Sequence, residues 1–283
     1  MSGLNGWLDP AFRSNMVRAT SRGTGARLGS AIRLATPYFS IAPAKRAAIR
    51  HGGWKSNPQK FQRPSSDSLA GSLALATVKR PCFKLELPFP QPLAGVDEAG
   101  CAPLAGPVVA AAVVLDRDKF PRGIDDSKKL DLDTREAIFG RLQKVASIGV
   151  GVASVEEIEH INIYWARMLA MTRAVEALGF EPAWVLVDGN ATPRWQRPSK
   201  AIIAGDAKCR SIAAASIVAK VTRDRIMADY ARDYPGYGWE TNRGYPTPEH
   251  IRAIEMLGLT PHHRRTFSRV RDKLEQMVPL PLE

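Results

Sequence analysis

Cysteine is scarce in this chain. Its 283 residues include three, Cys82, Cys101 and Cys209, and no two share the short spacing of paired metal ligands. That excludes a disulfide framework and a zinc site as organising devices, and makes a reducing cytoplasm the default compartment. Long apolar runs are also missing: no stretch reaches 18 residues, so no membrane span is expected. The start of the chain lacks the basic, apolar, then small-residue order of a secretory signal. No internal repeat is evident. Acidic residues are nearly absent from one end. Residues 1–85 hold 14 Lys and Arg against only Asp9 and Asp67, a net of +12. Residues 86–283 hold 26 basic and 26 acidic residues. The whole formal charge of +12 therefore lies in the N-terminal third.

That basic third is rich in Gly, Ser and Pro and has arginines at irregular spacing, so residues 1–88 are expected to form a mostly disordered extension. Such a segment is drawn to polyanions by counterion release. It is equally compatible with a solvated tail, an organelle transit peptide or a start site placed too far upstream.

From Leu93 the pattern becomes that of a packed domain, residues 89–283. Leu93 to Asp97 reads as a strand, Pro107 to Leu115 as a buried apolar strand, and Ile148 to Ala153 as a third. Met168, Met171, Val175 and Leu178 recur at helical spacing, predicting a helix over 163–178 that Gly179 stops. Trp184 to Val187 reads as a strand ending in Asp188-Gly189, and Ala201 to Ala204 as another ending in Gly205-Asp206. A long helix follows over about 208–230. Thr247 and Pro248 open one more, as cap and first-turn residue. The order predicts an α/β fold with mixed strand directions and a helical C-terminal part.

Four acids stand at strand ends: Asp97 and Glu98 on the first strand, Asp188 on a later one, Asp206 after the next. Oxygen-only donors suit hard divalent cations, Mg²⁺ or Mn²⁺. Two such ions about 4 Å apart activate a water and stabilise the leaving oxygen in phosphodiester hydrolysis. One geometric condition applies. Neighbouring side chains of a strand point to opposite faces, so Asp97 and Glu98 share an ion only if the strand bends or ends there. Taken singly, each acid also has a plain reading: Asp188-Gly189 as a turn, Asp206 as a helix cap, Asp97-Glu98 as an exposed strand end.

The wording around these acids is specific. GVDEAGCAPLAGPVVAAAVVL at 95–115, DDSKKL at 125–130, VLVDGN at 185–190, GDAKCRSIAAASIVAKVTRD at 205–224, RGYPTPEH at 243–250 and HHRRTF at 262–267 resemble, in order, the motifs of ribonuclease HII. The resemblance covers roughly residues 93–272. It implies a ribonuclease H-like mixed β-sheet flanked by helices. It also implies metal-binding catalytic carboxylates at Asp97, Glu98, Asp188 and Asp206. The implied activity is endonucleolytic hydrolysis of RNA–DNA hybrids and of single ribonucleotides embedded in duplex DNA, leaving 5′-phosphate and 3′-hydroxyl ends. A monomer is the default for this resemblance.

Substrate contacts carry over by motif. Tyr245 matches a tyrosine that stacks on the sugar beyond the ribonucleotide; its plain reading is a half-buried core residue. Ser127 and Lys128 match a serine–lysine pair near the nucleic acid. Ser216 and Lys220 share one helix face; Lys220 reaches a phosphate or pairs with Asp224, and Arg223 has the same two readings. His262, His263, Arg264 and Arg265 form a basic cluster suited to backbone phosphates, or a solvated face.

Departures from the pattern matter as well. Where the family reads Gly-Arg-Gly, a motif that senses the 2′-hydroxyl, this chain reads Gly100-Cys101-Ala102. Cysteine cannot replace an arginine fork, although backbone amides there can still donate if their dihedrals suit non-glycine residues. Asn242-Arg243 stands where the family reads His-Lys. Cys101 and Cys209, each three residues after a proposed ligand, are a candidate oxidation-sensitive pair near the site. A sliding-clamp contact has no support in the C-terminal MVPLPLE. Two other readings stay open: a ribonuclease HIII-like enzyme, and a nucleic-acid binding protein without catalysis.

Overall fold

The computed structural model describes residues 80–277. The expectations for residues 1–79, and for the chain beyond 277, lie outside them. Five strands, β1 (Leu93–Ala99), β2 (Val108–Val114), β3 (Ser147–Ala153), β4 (Trp184–Asp188) and β5 (Ser199–Ile202), make one sheet in the order β3-β2-β1-β4-β5. The first three form an antiparallel meander, and β4 and β5 run parallel to β1. The helices are α1 (Leu132–Val145), α2 (Val155–Glu176), α3 (Arg210–Asp233), α4 (Trp239–Asn242), α5 (Pro248–Leu257) and α6 (Ser268–Met277).

The sheet is covered on both faces, which explains the unbroken apolar run of β2. Ala94, Val96, Ala110 and Ala112 pack with Met168, Met171 and Val175 of α2. Their alternate neighbours Ala111 and Val113 pack with Ile138 and Leu142 of α1 and with Ile217 and Val218 of α3. Helix α3 lies almost on the backbone of β1: a Cβ at Gly95 would fall 2.2 Å from the carbonyl carbon of Ser211. No helix among the described residues is long and apolar enough to cross a membrane.

Several boundaries differ from the sequence reading. Helix α1 was not expected; Asp131 caps it by accepting from the Thr134 N–H at 2.8 Å. Helix α2 begins at Val155 rather than 163, behind a capping box of Ser154 and Glu157. The expected helix is its second segment. Asn162, at φ 65°, breaks the helix, and its side chain accepts from the N–H groups of Tyr164 (3.0 Å) and Trp165 (3.3 Å) as an internal cap. Strand β5 lies two residues upstream of the expected position, and Ala204 (φ 53°) falls in the turn after it. Residues 81–88, assigned to the extension, pack on the domain: Phe83 meets Phe120 edge-on at 5.1 Å, and Glu86 is buried.

Candidate active site

Parallel pairing of β1 with β4 aligns Val96 with Val187. The next residues on these strands are Asp97 and Asp188, so two carboxylates leave adjacent strands side by side; Asp188 ends β4, whereas β1, expected to end at Asp97, stays paired with β2 through Ala99. The expected separation of Asp97 and Glu98 is present. Asp97 follows the parity of Gly95, toward α3. Glu98 follows Val96, toward α2, where Arg167 Nη1 lies 3.4 Å from its Oε1. Arg167 was not anticipated; its i,i+3 spacing from Tyr164, whose ring it overlies at 5.5 Å, was the available signal.

The loop between β5 and α3 supplies the rest. Asp188 Oδ1 accepts from the Gly205 N–H at 2.7 Å, and Asp206 carries a salt bridge to Lys128 Nζ at 3.6 Å. Burial pushes the Asp97 carboxyl well above the ordinary range, and Glu98, Asp188 and Asp206 push it further. Burial also raises Glu98, against the opposing pull of Arg167. Asp188 is raised by burial and by Asp206, while the Gly205 N–H lowers it. Burial opposes charge on Lys128, but Asp206, Asp126 and Asp97 outweigh it and hold its pKa up.

Among the described residues, no three His, Cys, Asp or Glu side chains converge as a ready metal shell. Arg167 and Lys128 occupy two of the four acids instead. The donors nevertheless fit a hard divalent cation. All four are carboxylates, they repel one another, and Glu98 Oε2 is buried without a hydrogen-bond partner.

The loop after Glu98 is fixed by two buried guanidinium groups. Arg264 donates to the carbonyls of Gly100 (2.6 Å), Gly106 (2.9 Å), Cys101 (3.1 Å) and Pro107 (3.3 Å). Arg223 donates to Ala105, Pro107 and Arg243, each at 3.0 Å. This corrects the reading of both as phosphate contacts. Arg223 is 1% exposed and Arg264 0%, and every guanidinium nitrogen of both donates to a backbone oxygen. Their partner in the HHRRTF motif, Arg265, is exposed.

Gly100 is at φ 101°, and a Cβ there would lie 2.2 Å from Arg223 Nε. Cys101 and Ala102 are not among the positive-φ residues, so losing the second glycine brings no backbone strain. Their N–H groups have no hydrogen-bond acceptor among the described residues.

Cys101 Sγ lies 3.6 Å from Glu98 Oε1, and burial pushes its pKa up to about 12, with Glu98 adding to the effect. Cys209, the other member of the candidate pair, is buried and bridged through the backbone to Cys82. A neutral thiol is a poor target for oxidation.

Ser127 and Ser216 share a buried hydroxyl–hydroxyl bond of 2.7 Å. Lys220 takes the second of its two readings, donating to Asp224 at 2.6 Å. Tyr245 is 41% exposed rather than a core residue. Its carbonyl meets His250 Nδ1 at 2.9 Å, and the same histidine joins Trp239 (3.0 Å) and His263 (3.2 Å) beneath.

The mixed sheet, with carboxylates at the ends of its central strands, defines the ribonuclease H-like class of nucleases. Within that class, the Ribonuclease HII family model matches residues 94–271. The chain is 64% identical over 190 residues to the ribonuclease HII of Rhizorhabdus wittichii, covering 67% of this chain and 94% of that one. To the enzyme of Paracoccus denitrificans it is 55% identical, over 63% and 85%. Among solved structures it resembles the ribonuclease H2 of Pyrococcus horikoshii, with TM-score 0.57, 29% identity, and coverage of 65% and 97%. The RNase HII of Archaeoglobus fulgidus, solved as a complex with PCNA, gives TM-score 0.55 and 25% identity, over 62% and 95%. This chain belongs to the ribonuclease HII family.

Proposed function

We propose that the site at Asp97, Glu98, Asp188 and Asp206 hydrolyses the RNA strand of RNA–DNA hybrids and cuts at ribonucleotides embedded in duplex DNA. The juxtaposition of Asp97 and Asp188 on neighbouring parallel strands, inside a chain of this family, carries the reading. The four carboxylates would hold divalent cations, Mg²⁺ or Mn²⁺, which when bound supply charge stabilisation at the scissile phosphate and an activated water. A second nucleic-acid function without catalysis is disfavoured, because a binder of polyanions gains nothing from four neighbouring acids.

The chain's own groups do the positioning. The N–H groups of Cys101 and Ala102, beside Glu98 and without an acceptor among the described residues, donate in this reading to the 2′-hydroxyl that separates RNA from DNA. The exposed ring of Tyr245 offers a flat surface for the next sugar. Lys128, with its side chain 82% exposed, and the exposed Arg265 contact phosphates. Arg167 and Lys128 hold Glu98 and Asp206 until substrate and cation arrive.

The test is cleavage of a DNA duplex carrying one ribonucleotide beside an all-RNA strand on DNA, with Mg²⁺ or Mn²⁺. Cutting of both supports the full assignment. Cutting of the hybrid alone removes junction recognition from it. Binding without cutting of either overturns the enzyme.

A further inference from the structure

The turn Gly205–Cys209 governs two of the four acids. It carries Asp206, and its Gly205 N–H holds Asp188. Internally it is tied by Lys208 N–H (3.0 Å) and Cys209 N–H (2.7 Å) donating to Gly205 O, and by Ala207 N–H donating to Asp206 Oδ1 at 2.9 Å. Helix α3 starts directly after it, and the cap residue Cys209 makes no side-chain capping bond. The first N–H groups of a helix need acceptors from elsewhere.

They find one 125 residues upstream. Glu86 Oε1 accepts from the Ser211 N–H at 3.0 Å in a buried contact. Glu86 itself is 1% exposed, and a carboxylate at that end complements the helix dipole. The residues before it reinforce the grip. Cys82 N–H donates to Lys208 O at 3.1 Å. Arg210 donates to Pro81 O through Nη2 (3.0 Å) and Nε (3.3 Å), while its guanidinium overlies Phe83 at 5.0 Å and Phe120 at 4.5 Å. Arg117 Nη2 donates to Glu86 O at 2.9 Å.

We propose that Glu86, at the end of a strap formed by residues 81–86, is a positioning residue for Asp188 and Asp206. The strap lies ahead of the matched family region, 94–271, and acts on the acids only through the turn and the start of α3. This rests on the reading of those acids as the cation-holding set.

The experiment uses the full chain as wild type, E86A, E86Q and E86D. Mn²⁺ binding is measured by calorimetry on the protein alone, beside melting temperature and the Mn²⁺ dependence of cleavage. E86A weakens Mn²⁺ binding by about tenfold, the scale of lost outer-shell support. E86Q, which keeps the acceptor, stays within about threefold of wild type. A folded E86A with a lower melting temperature and unchanged Mn²⁺ binding overturns the proposal and leaves only a structural cap. Should E86A not fold, E86D decides: its shorter arm loses Ser211, and unchanged Mn²⁺ binding there overturns it equally. Wild-type protein that neither binds Mn²⁺ nor cuts overturns the active-site reading and the strap with it. Wild-type binding with an indifferent E86A overturns the strap alone.

Discussion

Arg264 Nη2 donates to the carbonyl oxygen of Gly100 at 2.6 Å, the shortest of four carbonyl contacts made by one buried guanidinium. Turning the carbonyls of Gly100 and Cys101 inward leaves the next N–H groups facing out. Lysine at 264 keeps the charge but not the fork. R264K is expected to lower stability by about 2–4 kcal/mol, since buried carbonyls lose their donors. Embedded-ribonucleotide cleavage should fall further than hybrid cleavage. Equal losses on the two substrates would remove Arg264 from junction recognition.

Asp97 is buried among like charges, so neutralising it should separate stability from activity. D97N in metal-free buffer is expected to melt a few degrees higher, equivalent to roughly 1 kcal/mol for a domain of this size. Its cleavage with Mg²⁺ or Mn²⁺ should be nearly absent, and D188N should behave alike. Substantial turnover in either variant contradicts the site assignment.

The ring of Tyr245 is exposed while its backbone is fixed from below, which predicts a role for the ring rather than the hydroxyl. Y245F should cleave an embedded ribonucleotide almost as well as wild type. Y245A should lose about two- to tenfold, the range of an aromatic contact. The comparison is made at subsaturating substrate, and an equal loss in Y245F would shift the role to the hydroxyl.

His263 and His250 make stability fall with acidity. Trp239 Nε1 and His263 Nε2 both donate to His250 Nε2, and Thr260 N–H donates to His263 Nδ1, so neither ring has room for a second proton. Burial, then the neighbouring His250, lowers the His263 pKa to about 3. The unfolded chain takes up that proton near 6.5, so the stabilising contribution is complete above 6.5 and is lost progressively as pH falls toward 3. At pH 5 the loss from His263 alone is about 2 kcal/mol. Urea midpoints measured from pH 7.5 to 4.5 should decline accordingly, and an H263Q variant should flatten the slope by about one proton.

What was legible in the sequence was whatever has a local cause. The strands β1 to β4 show as apolar runs, and α3 as a long run of small and apolar residues. The four acids were visible because each stands near the end of an apolar strand or in the turn after one. Helix α1 gives a weak signal despite Asp131 and the apolar Ile138, Phe139 and Leu142, because those three are the only buried residues of its fourteen. The start of β5 was misplaced because this edge strand is half-exposed and short. Arg223 and Arg264 read as surface charge, since the carbonyls that bury them lie in a loop over a hundred residues away. The contact of Glu86 with Ser211 is equally non-local and gives no periodic signal.

Six carbonyl contacts from Arg223 and Arg264 separate the shape of the 100–107 loop from the identity of its own side chains. Positions 101 and 102 can then change chemistry without redrawing the backbone, as Cys101 and Ala102 already do. Sugar preference in this enzyme becomes a property that can be rewritten at two sites, while the frame that presents them is supplied from a distant helix and a distant loop.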